Sequence, residues 1–186
     1  MSLTLIKLGG SLMRRRDTLD AAAAALARVA ALGRAVVVPG GGALADAVRA
    51  LDERVGLGDE AAHWMAVLAM DQGAQLLAAR VPNAIVAAGP DAVRGALAGG
   101  RLPVVAPYGW LRAADPLPHS WDVTGDSIAA WLAGQLGAAR LVLVKMVAGD
   151  PTRLADPYFA RALPPGVDAL VLDVARLGEL DSLVAR

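Results

Sequence analysis

Lysine is rare in this sequence, and it stands where phosphoryl chemistry is possible. Lys7 and Lys145 are the lysines among 18 basic residues, and the others are arginine. This bias indicates that lysine is kept where a compact ammonium group is needed. Both end a predicted strand, and the carboxyl ends of parallel strands share one sheet edge. We therefore predict that the two ammonium groups converge on one transferring phosphoryl group. The alternative is that two surface lysines were retained by chance.

An aspartate at the start of a predicted helix is placed to hold these lysines. Asp126 lies in the segment 121–127, WDVTGDS, and the predicted helix 126–136 leads directly to the strand of Lys145. An aspartate in this position can simply cap the helix. Between two ammonium groups it would also fix their positions and keep them charged, as phosphoryl transfer requires.

Two glycine turns follow the first two predicted strands. Gly9 and Gly10 come directly after the first strand, and Gly40, Gly41 and Gly42 follow the second. Glycine lets a backbone approach a phosphate closely and point its N–H groups at the oxygens. The alternative for each is an ordinary strand-to-helix turn. Neither is a G-x-x-x-x-G-K-[ST] loop or a G-x-G-x-x-G fingerprint, which disfavours P-loop enzymes and dinucleotide-binding dehydrogenases.

Composition and charge limit the functional classes to which this protein can belong. The 18 basic residues balance 18 acidic ones, and the longest charge run is the arginine triplet 14–16, so nothing draws the chain to nucleic acid or membranes. The triplet is expected to be a solvated loop face. The absence of cysteine excludes disulfides and thiolate-bound metals and favours a cytoplasmic location. Neither a signal peptide nor a membrane-spanning segment is recognised. The hydrophobic content of 56% favours a broad core and a homo-oligomer.

Short β-branched runs alternate with alanine- and leucine-rich segments, which is typical of βαβ units around a mostly parallel sheet. The length of 186 residues fits a single domain, 1–186. Strands are predicted at 3–8, 35–38, 84–87, 102–105, 141–145 and 169–172, and helices at about 18–32, 43–55, 60–79, 91–97 and 126–136. Asp17 or Thr18 is the expected cap of the first helix. Segment 106–122, rich in proline and aromatic residues without a clear period, is predicted to be an ordered functional loop.

Four segments together resemble the successive signatures of the amino acid kinase superfamily. They are KLGGS at 7–11, VPGGG at 38–42, VTGDS at 123–127 and LVLVKMVAG at 141–149, and the resemblance covers nearly the whole chain. It implies an α/β fold, a three-layer αβα sandwich of the carbamate kinase-like type. It also implies a phosphoryl acceptor bound by about residues 1–115 and ATP bound by about 116–186, with Mg²⁺ carried by ATP and no protein metal site.

The resemblance also implies roles for individual residues. Lys7 and Lys145 would stabilise the transferring phosphoryl group, and Asp126 would organise them. Backbone donors along the reaction line would come from Gly9, Gly10, Gly41 and Gly42. The phosphate and acceptor side would also include Ser11 and Gly40. The nucleotide side would comprise Lys145, Met146, Gly149, Asp150 and Asp156. Met146 and Ala148 stand where the family commonly has other residues, so the nucleotide contacts are expected to differ here.

Helix 60–72 and loop 117–122 resemble one compact branch, the (5-(aminomethyl)furan-3-yl)methyl phosphate kinases of methanofuran-type one-carbon carrier synthesis. This implies a small phosphate acceptor that also carries an ammonium group, with His63, Asp71, His119 and Asp122 on the acceptor side. His63 could equally be a packed helix residue. The alternatives are an isopentenyl phosphate-like or uridylate-like kinase, or a non-catalytic metabolite- or oxyanion-binding protein on the same fold.

Overall fold

A computed structural model describes residues 2–185 of the chain. Within them, six strands form one parallel sheet in the order β3-β4-β2-β1-β5-β6. The strands are β1 Thr4–Leu8, β2 Ala35–Pro39, β3 Ala84–Ala87, β4 Leu102–Val105, β5 Arg140–Lys145 and β6 Asp168–Asp173. All six predicted strands are present, and the α/β architecture is confirmed.

Helices connect the strands and cover the sheet. They are α1 Arg16–Ala30, α2 Gly42–Val55, α3 Asp59–Arg80, α4 Pro90–Ala98, α5 Tyr108–Ala114, α6 Gly125–Gln135, α7 Pro151–Leu154, α8 Phe159–Ala162 and α9 Leu180–Ala185. Two 3-10 helices, Gly10–Arg14 and Val174–Glu179, complete the described elements. Among these helices none is long and apolar enough to cross a membrane.

Two apolar layers, one on each face of the sheet, give the three-layer arrangement. Successive strand residues point to opposite faces, so Ile6 and Leu8 of β1 pack with α1 and α9, while Leu5 packs with α6 and α8. Lys7 has the same parity as Leu5 and faces α6. Its register partner on β5 is Leu143, so Lys145 also lies on the α6 face. The strand period therefore brings both lysines to one face.

Two local predictions are wrong. Segment 106–122 is not loop throughout, since α5 occupies Tyr108–Ala114 and ends at Asp115 with a φ of 42°. The helix is too short to leave a readable period in the sequence. Neither Asp17 nor Thr18 caps α1, which begins at Arg16, so both lie in its first turn. Thr18 instead donates its hydroxyl to the carbonyl of Leu12, 2.7 Å away, which ties α1 to the glycine turn after β1.

Candidate active site

Asp126 lies between the two lysines at the carboxyl edge of the sheet. Lys7 Nζ is 2.8 Å from its Oδ1, and Lys145 Nζ is 2.7 Å from its Oδ2. Adjacent strands β1 and β5 supply the ammonium groups, and the first turn of α6 supplies the carboxylate. Asp126 is 4% exposed and Lys7 6% exposed, so both charges are nearly removed from water. Two cations against one anion leave a net positive charge at the sheet edge, which suits an incoming phosphate.

The charge state of Asp126 follows from these contacts. Burial raises the pKa of its carboxyl group, but the positive charges and hydrogen bonds of Lys7 and Lys145 outweigh burial and hold the pKa below its usual value. The carboxylate is therefore ionised at neutral pH, as an ion pair with two ammonium groups requires.

The first turn of α6 is held from outside the helix. Thr124, at the N-cap, makes no capping hydrogen bond with its own side chain. Asp156 Oδ2 instead accepts from Thr124 N at 2.9 Å, Thr124 Oγ1 at 2.8 Å and Ser127 N at 3.0 Å. Ser127 Oγ also donates to Asp156 Oδ1. The carboxylate of Asp156 thus satisfies two backbone N–H groups, those of Thr124 and Ser127, at the start of the helix that carries Asp126.

The two glycine turns pack directly against each other. A Cβ on Gly10 would lie 2.4 Å from Gly42 N, and one on Gly40 would lie 2.6 Å from Gly10 N, so backbone contact demands glycine at both positions. The N–H of Gly9 donates to Val144 O at 3.0 Å, and that of Gly40 donates to Leu8 O at 2.8 Å. These two N–H groups are therefore not free for a phosphate, contrary to the donor role expected of Gly9.

A cavity of about 200 Å³ opens beside the glycine turns and Lys7. Helices α2, α3 and α6 and the segment before α6 enclose it. The predicted site residues that line it are Lys7, Gly10, Ser11, Gly40, Gly41, Gly42 and His63. Lys145 and Asp126 adjoin it through Lys7. Among the predicted acceptor-side residues, the structure does not bring Asp71, His119 or Asp122 to the cavity wall.

Sequence reasoning missed a charged wall of the same cavity. Arg14, Asp46 and Arg49 line it, and Arg14 is ion-paired to Asp46. The arginine triplet is therefore not only a solvated face, although the Arg14 side chain is still 53% exposed. A signal existed for Asp46 and Arg49 alone, because a helix that starts from a phosphate-type glycine turn places the polar residues of its first turns near the same sheet edge.

Trp121 closes the cavity on the side of α2. Its Nε1 donates to Asp52 Oδ2 at 2.8 Å, and the Arg49 guanidinium lies 4.0 Å from its ring centroid. Hydrogen bonding and cation–π contact together fix the indole ring against α2. The aromatic loop residue is thus a wall of the cavity held by two side chains of one helix.

A short imidazole chain leads from the cavity toward solvent. The rings of His63 and His119 stack at 4.6 Å, and His119 Nε2 lies 2.8 Å from Asp115 Oδ1. Burial first, and the neighbouring His119 second, lower the pKa of His63 to about 4. His63 therefore presents a neutral imidazole to the cavity at physiological pH, and the ring of His119 stacks against it.

The other predicted residues occupy different places. Asp71 accepts from Tyr108 N at 3.0 Å at the start of α5, and burial raises its pKa. Asp122 is exposed, and its backbone carbonyl accepts from Tyr158 N at 3.3 Å. Beyond Lys145, Met146 is 41% exposed at the strand end. Asp150 caps α7 by accepting from Thr152 N at 2.7 Å.

Gly149 lies between Met146 and Asp150 and adopts a φ of 156°. A Cβ at this position would lie 2.8 Å from Leu154 Cδ1. A larger residue would therefore displace the side chain of Leu154. This glycine packs the segment after β5 closely against α7.

Comparison with known proteins gives a family and a fold. The sequence profile of the amino acid kinase family matches residues 2–149. The uridylate kinase of Archaeoglobus fulgidus has a TM-score of 0.73 at 18% identity, over 98% of this chain and 96% of that chain. The UMP kinase of Bacillus anthracis has a TM-score of 0.71 at 16% identity, over 98% and 91%. At sequence identities this low, the similarity to these two structures shows a shared fold.

A third solved structure is similar over part of its length. The aspartate kinase of Synechocystis has a TM-score of 0.67 at 16% identity, over 92% of this chain and 40% of that chain. None of the curated proteins compared with this chain matches it in sequence. The shared architecture thus extends to kinases whose named acceptors differ in chemistry.

Proposed function

This chain belongs to the amino acid kinase family, and we propose that it is an ATP-dependent kinase that converts a small phosphate monoester to a diphosphate. The observation that carries the proposal is the placement of Asp126 within 2.8 Å of both lysine ammonium groups, beside a cavity lined by glycine turns. This arrangement concentrates positive charge where a phosphoryl group would pass between two anions.

In the proposed reaction, an oxygen of the acceptor phosphate attacks the γ-phosphorus of ATP, the bond to the bridging oxygen breaks, and ADP leaves. Lys7 and Lys145 neutralise charge on the transferring group, and Asp126 holds their spacing. No general base is needed, because a phosphate monoester is already an anionic nucleophile at neutral pH. His63 provides a neutral hydrogen-bonding imidazole on the acceptor side.

The nucleotide is assigned to about residues 116–186, next to Lys145, with Met146, Gly149 and Asp150 at the exposed end of β5. In residues 2–185 no three His, Asp or Glu side chains cluster closely enough to hold a metal ion. In the proposal Mg²⁺ arrives on the phosphates of ATP and supplies charge neutralisation there. The remaining residues, about 1–115, provide most of the acceptor cavity.

The charged wall favours an acceptor that carries both an anion and a cation. Arg14 and Arg49 can meet a phosphate, and Asp46, which is ion-paired to Arg14 without ligand, can then meet an ammonium group. This pattern supports (5-(aminomethyl)furan-3-yl)methyl phosphate, and hence methanofuran-type cofactor synthesis. An isoprenoid phosphate would call for an apolar channel without a carboxylate. Uridylate is the other alternative, since two of the similar structures are UMP kinases.

The size of the cavity supports a small acceptor. Its volume of about 200 Å³ lies below the roughly 300–1,000 Å³ typical of sites for drug-sized ligands. Trp121 limits this volume, so Trp121→Ala should raise turnover of UMP relative to smaller phosphate monoesters. Trp121→Phe, which keeps an aromatic wall but loses the hydrogen bond to Asp52, is the matched control. An unchanged acceptor ratio in Trp121→Ala would contradict this role.

A non-catalytic binding protein on the same fold is the second candidate, favoured by Met146 and Ala148. The ion-paired lysines argue against it, since binding alone does not require two ammonium groups at one carboxylate. A homo-oligomer is also part of the proposal, because α2 buries no residue in one copy and exposes Leu44 and Val55. Its mass in solution, by light scattering after size-exclusion chromatography, tests this point.

The first test is coupled ADP release from Mg-ATP with three acceptors: the aminomethylfuran phosphate, isopentenyl phosphate and UMP. Preference for the aminated furan supports the kinase activity, the resemblance to the aminomethylfuran phosphate kinases and the role in methanofuran-type synthesis. Turnover of another acceptor alone supports the kinase activity and contradicts the role in methanofuran-type synthesis. ATP binding without turnover of any phosphate monoester contradicts the proposal and favours the binding protein.

A further inference from the structure

The first turn of α6 has an unusual support. The helix carries Asp126, whose two oxygens face the two lysines, yet the N-cap side chain of the helix makes no capping hydrogen bond. Thr124, two residues before Asp126, and Ser127, directly after it, direct their backbone N–H groups and hydroxyls to one carboxylate, that of Asp156. A side chain distant in the sequence thus fixes the turn on both sides of Asp126.

The support itself is anchored in the core. Asp156 accepts the backbone N–H of Phe159 at 3.1 Å through its carbonyl, and Phe159 is 1% exposed beneath α6. Tyr158 N donates to the carbonyl of Asp122 at 3.3 Å, just before α6 begins. The segment that holds Asp156 is therefore joined to the residues just before α6 by one backbone hydrogen bond, and to the first turn of α6 by the carboxylate.

We propose that Asp156 is a positioning residue, which holds the first turn of α6 so that Asp126 stays between Lys7 and Lys145. The inference rests on the proposed kinase function. It gives Asp156 a role different from the nucleotide contact that its sequence motif implies. Both oxygens of its carboxylate already accept hydrogen bonds from α6, and a carboxylate is also favoured at the positive end of the helix.

Steady-state kinetics of Asp156→Asn separate the two roles. The amide keeps the size of the side chain but has one accepting oxygen in place of two and no negative charge, so the first turn of α6 loosens. We expect kcat to fall about 10- to 100-fold, as for a displaced catalytic group, while the KM for ATP changes by less than about threefold. A raised KM for ATP with kcat retained would overturn the proposal in favour of a nucleotide contact.

A milder variant and a control variant distinguish a specific loss of turnover from general misfolding. Ser127→Ala removes one hydroxyl donor, and it should lower kcat in the same manner but less. Asp91→Asn removes an exposed carboxylate from the first turn of another helix, α4, and should leave both parameters unchanged. If Asp156→Asn and Ser127→Ala lower only the melting temperature, Asp156 is a stabilising cap and the proposal fails.

NMR of the lysine side chains tests the same point without turnover. Lysine labelled with ¹⁵N at Nζ gives signals from Lys7 and Lys145 alone, because the chain has no other lysine. Asp126→Asn should shift or broaden both signals, and Asp156→Asn should do the same. Unchanged signals in Asp156→Asn would overturn the positioning role. If the signals respond but the wild type phosphorylates no acceptor, the proposed function fails and the positioning role stands.

Discussion

Replacing Asp126 by asparagine should destabilise the protein strongly, because the change leaves two ammonium groups without their shared counterion. The carboxylate lies 2.8 Å from Lys7 Nζ and 2.7 Å from Lys145 Nζ, and its side chain is 5% exposed. Removing one partner of a buried ion pair costs about 3–5 kcal/mol. In a chain of this size such a loss lowers Tm by roughly 10 °C. Urea unfolding, with an unchanged m-value, gives the free energy directly.

A matched control is present on the surface. Asp20 also lies between two cations, with Arg80 Nη1 at 3.0 Å and Arg16 Nε at 3.5 Å, but its side chain is 52% exposed. Asp20→Asn should therefore cost less than about 1 kcal/mol. If Asp126→Asn proves no more destabilising than Asp20→Asn, the buried carboxylate does not hold the lysines and the reasoning is refuted.

Unfolding at acidic pH provides a second test, which compares the wild type with Asp126→Asn. The pKa of Asp126 is lowered in the folded state, because the lysine charges and hydrogen bonds outweigh the raising effect of burial. Its contribution to stability is therefore complete above the pKa of an aspartate in the unfolded chain, about 3.9. It is lost as pH falls through the lower folded value. The stability difference between wild type and Asp126→Asn should shrink over that acidic range.

Three further outcomes are expected. Lys7→Met and Lys145→Met should each lower kcat about a hundred- to thousandfold. The fold should be retained, because Asp126 keeps the other lysine as its counterion. In ADP-release assays a fall of less than about tenfold would contradict their assignment. Gly10→Ala places a Cβ 2.4 Å from a backbone nitrogen of the other glycine turn, which should cost about 1–3 kcal/mol, whereas Gly95→Ala in the open helix α4 should be neutral or stabilising by chemical denaturation. His63 should titrate by NMR near pH 4, so stability should fall as pH drops from about 6.5, and a midpoint near 6.5 would contradict its buried neutral state.

The regular elements were predictable because the pattern of side chains is local. The runs 84–87 and 102–105 were predicted with the bounds that β3 and β4 have, since β-branched residues lie between Gly, Pro and Asn punctuation. Helix α5 was missed, as its 7 residues show less than two apolar periods. Short helices are decided by what they pack against, and that information is absent from the segment itself.

Part of the site was also predictable from local signals. Lysines at the ends of strands and glycines directly after them pointed to one sheet edge, because parallel strands end together. Arg14, Asp46 and Arg49 were missed because their grouping requires the 3-10 helix after β1 to meet α2. Such a contact depends on packing between elements and leaves no spacing pattern in either one.

The sequence by itself determined the strands, the parallel sheet and the edge where the lysines end, since each follows from periodicity and chain connectivity. Only the tertiary structure decided that Asp126 reaches both lysines. That outcome needs β1 and β5 to be neighbours, Lys7 and Lys145 to share a face, and α6 to begin above them. It also decided that the carboxylate of Asp156 holds the start of α6, because hydrogen bonds between distant segments form only when packing brings their donors and acceptors together.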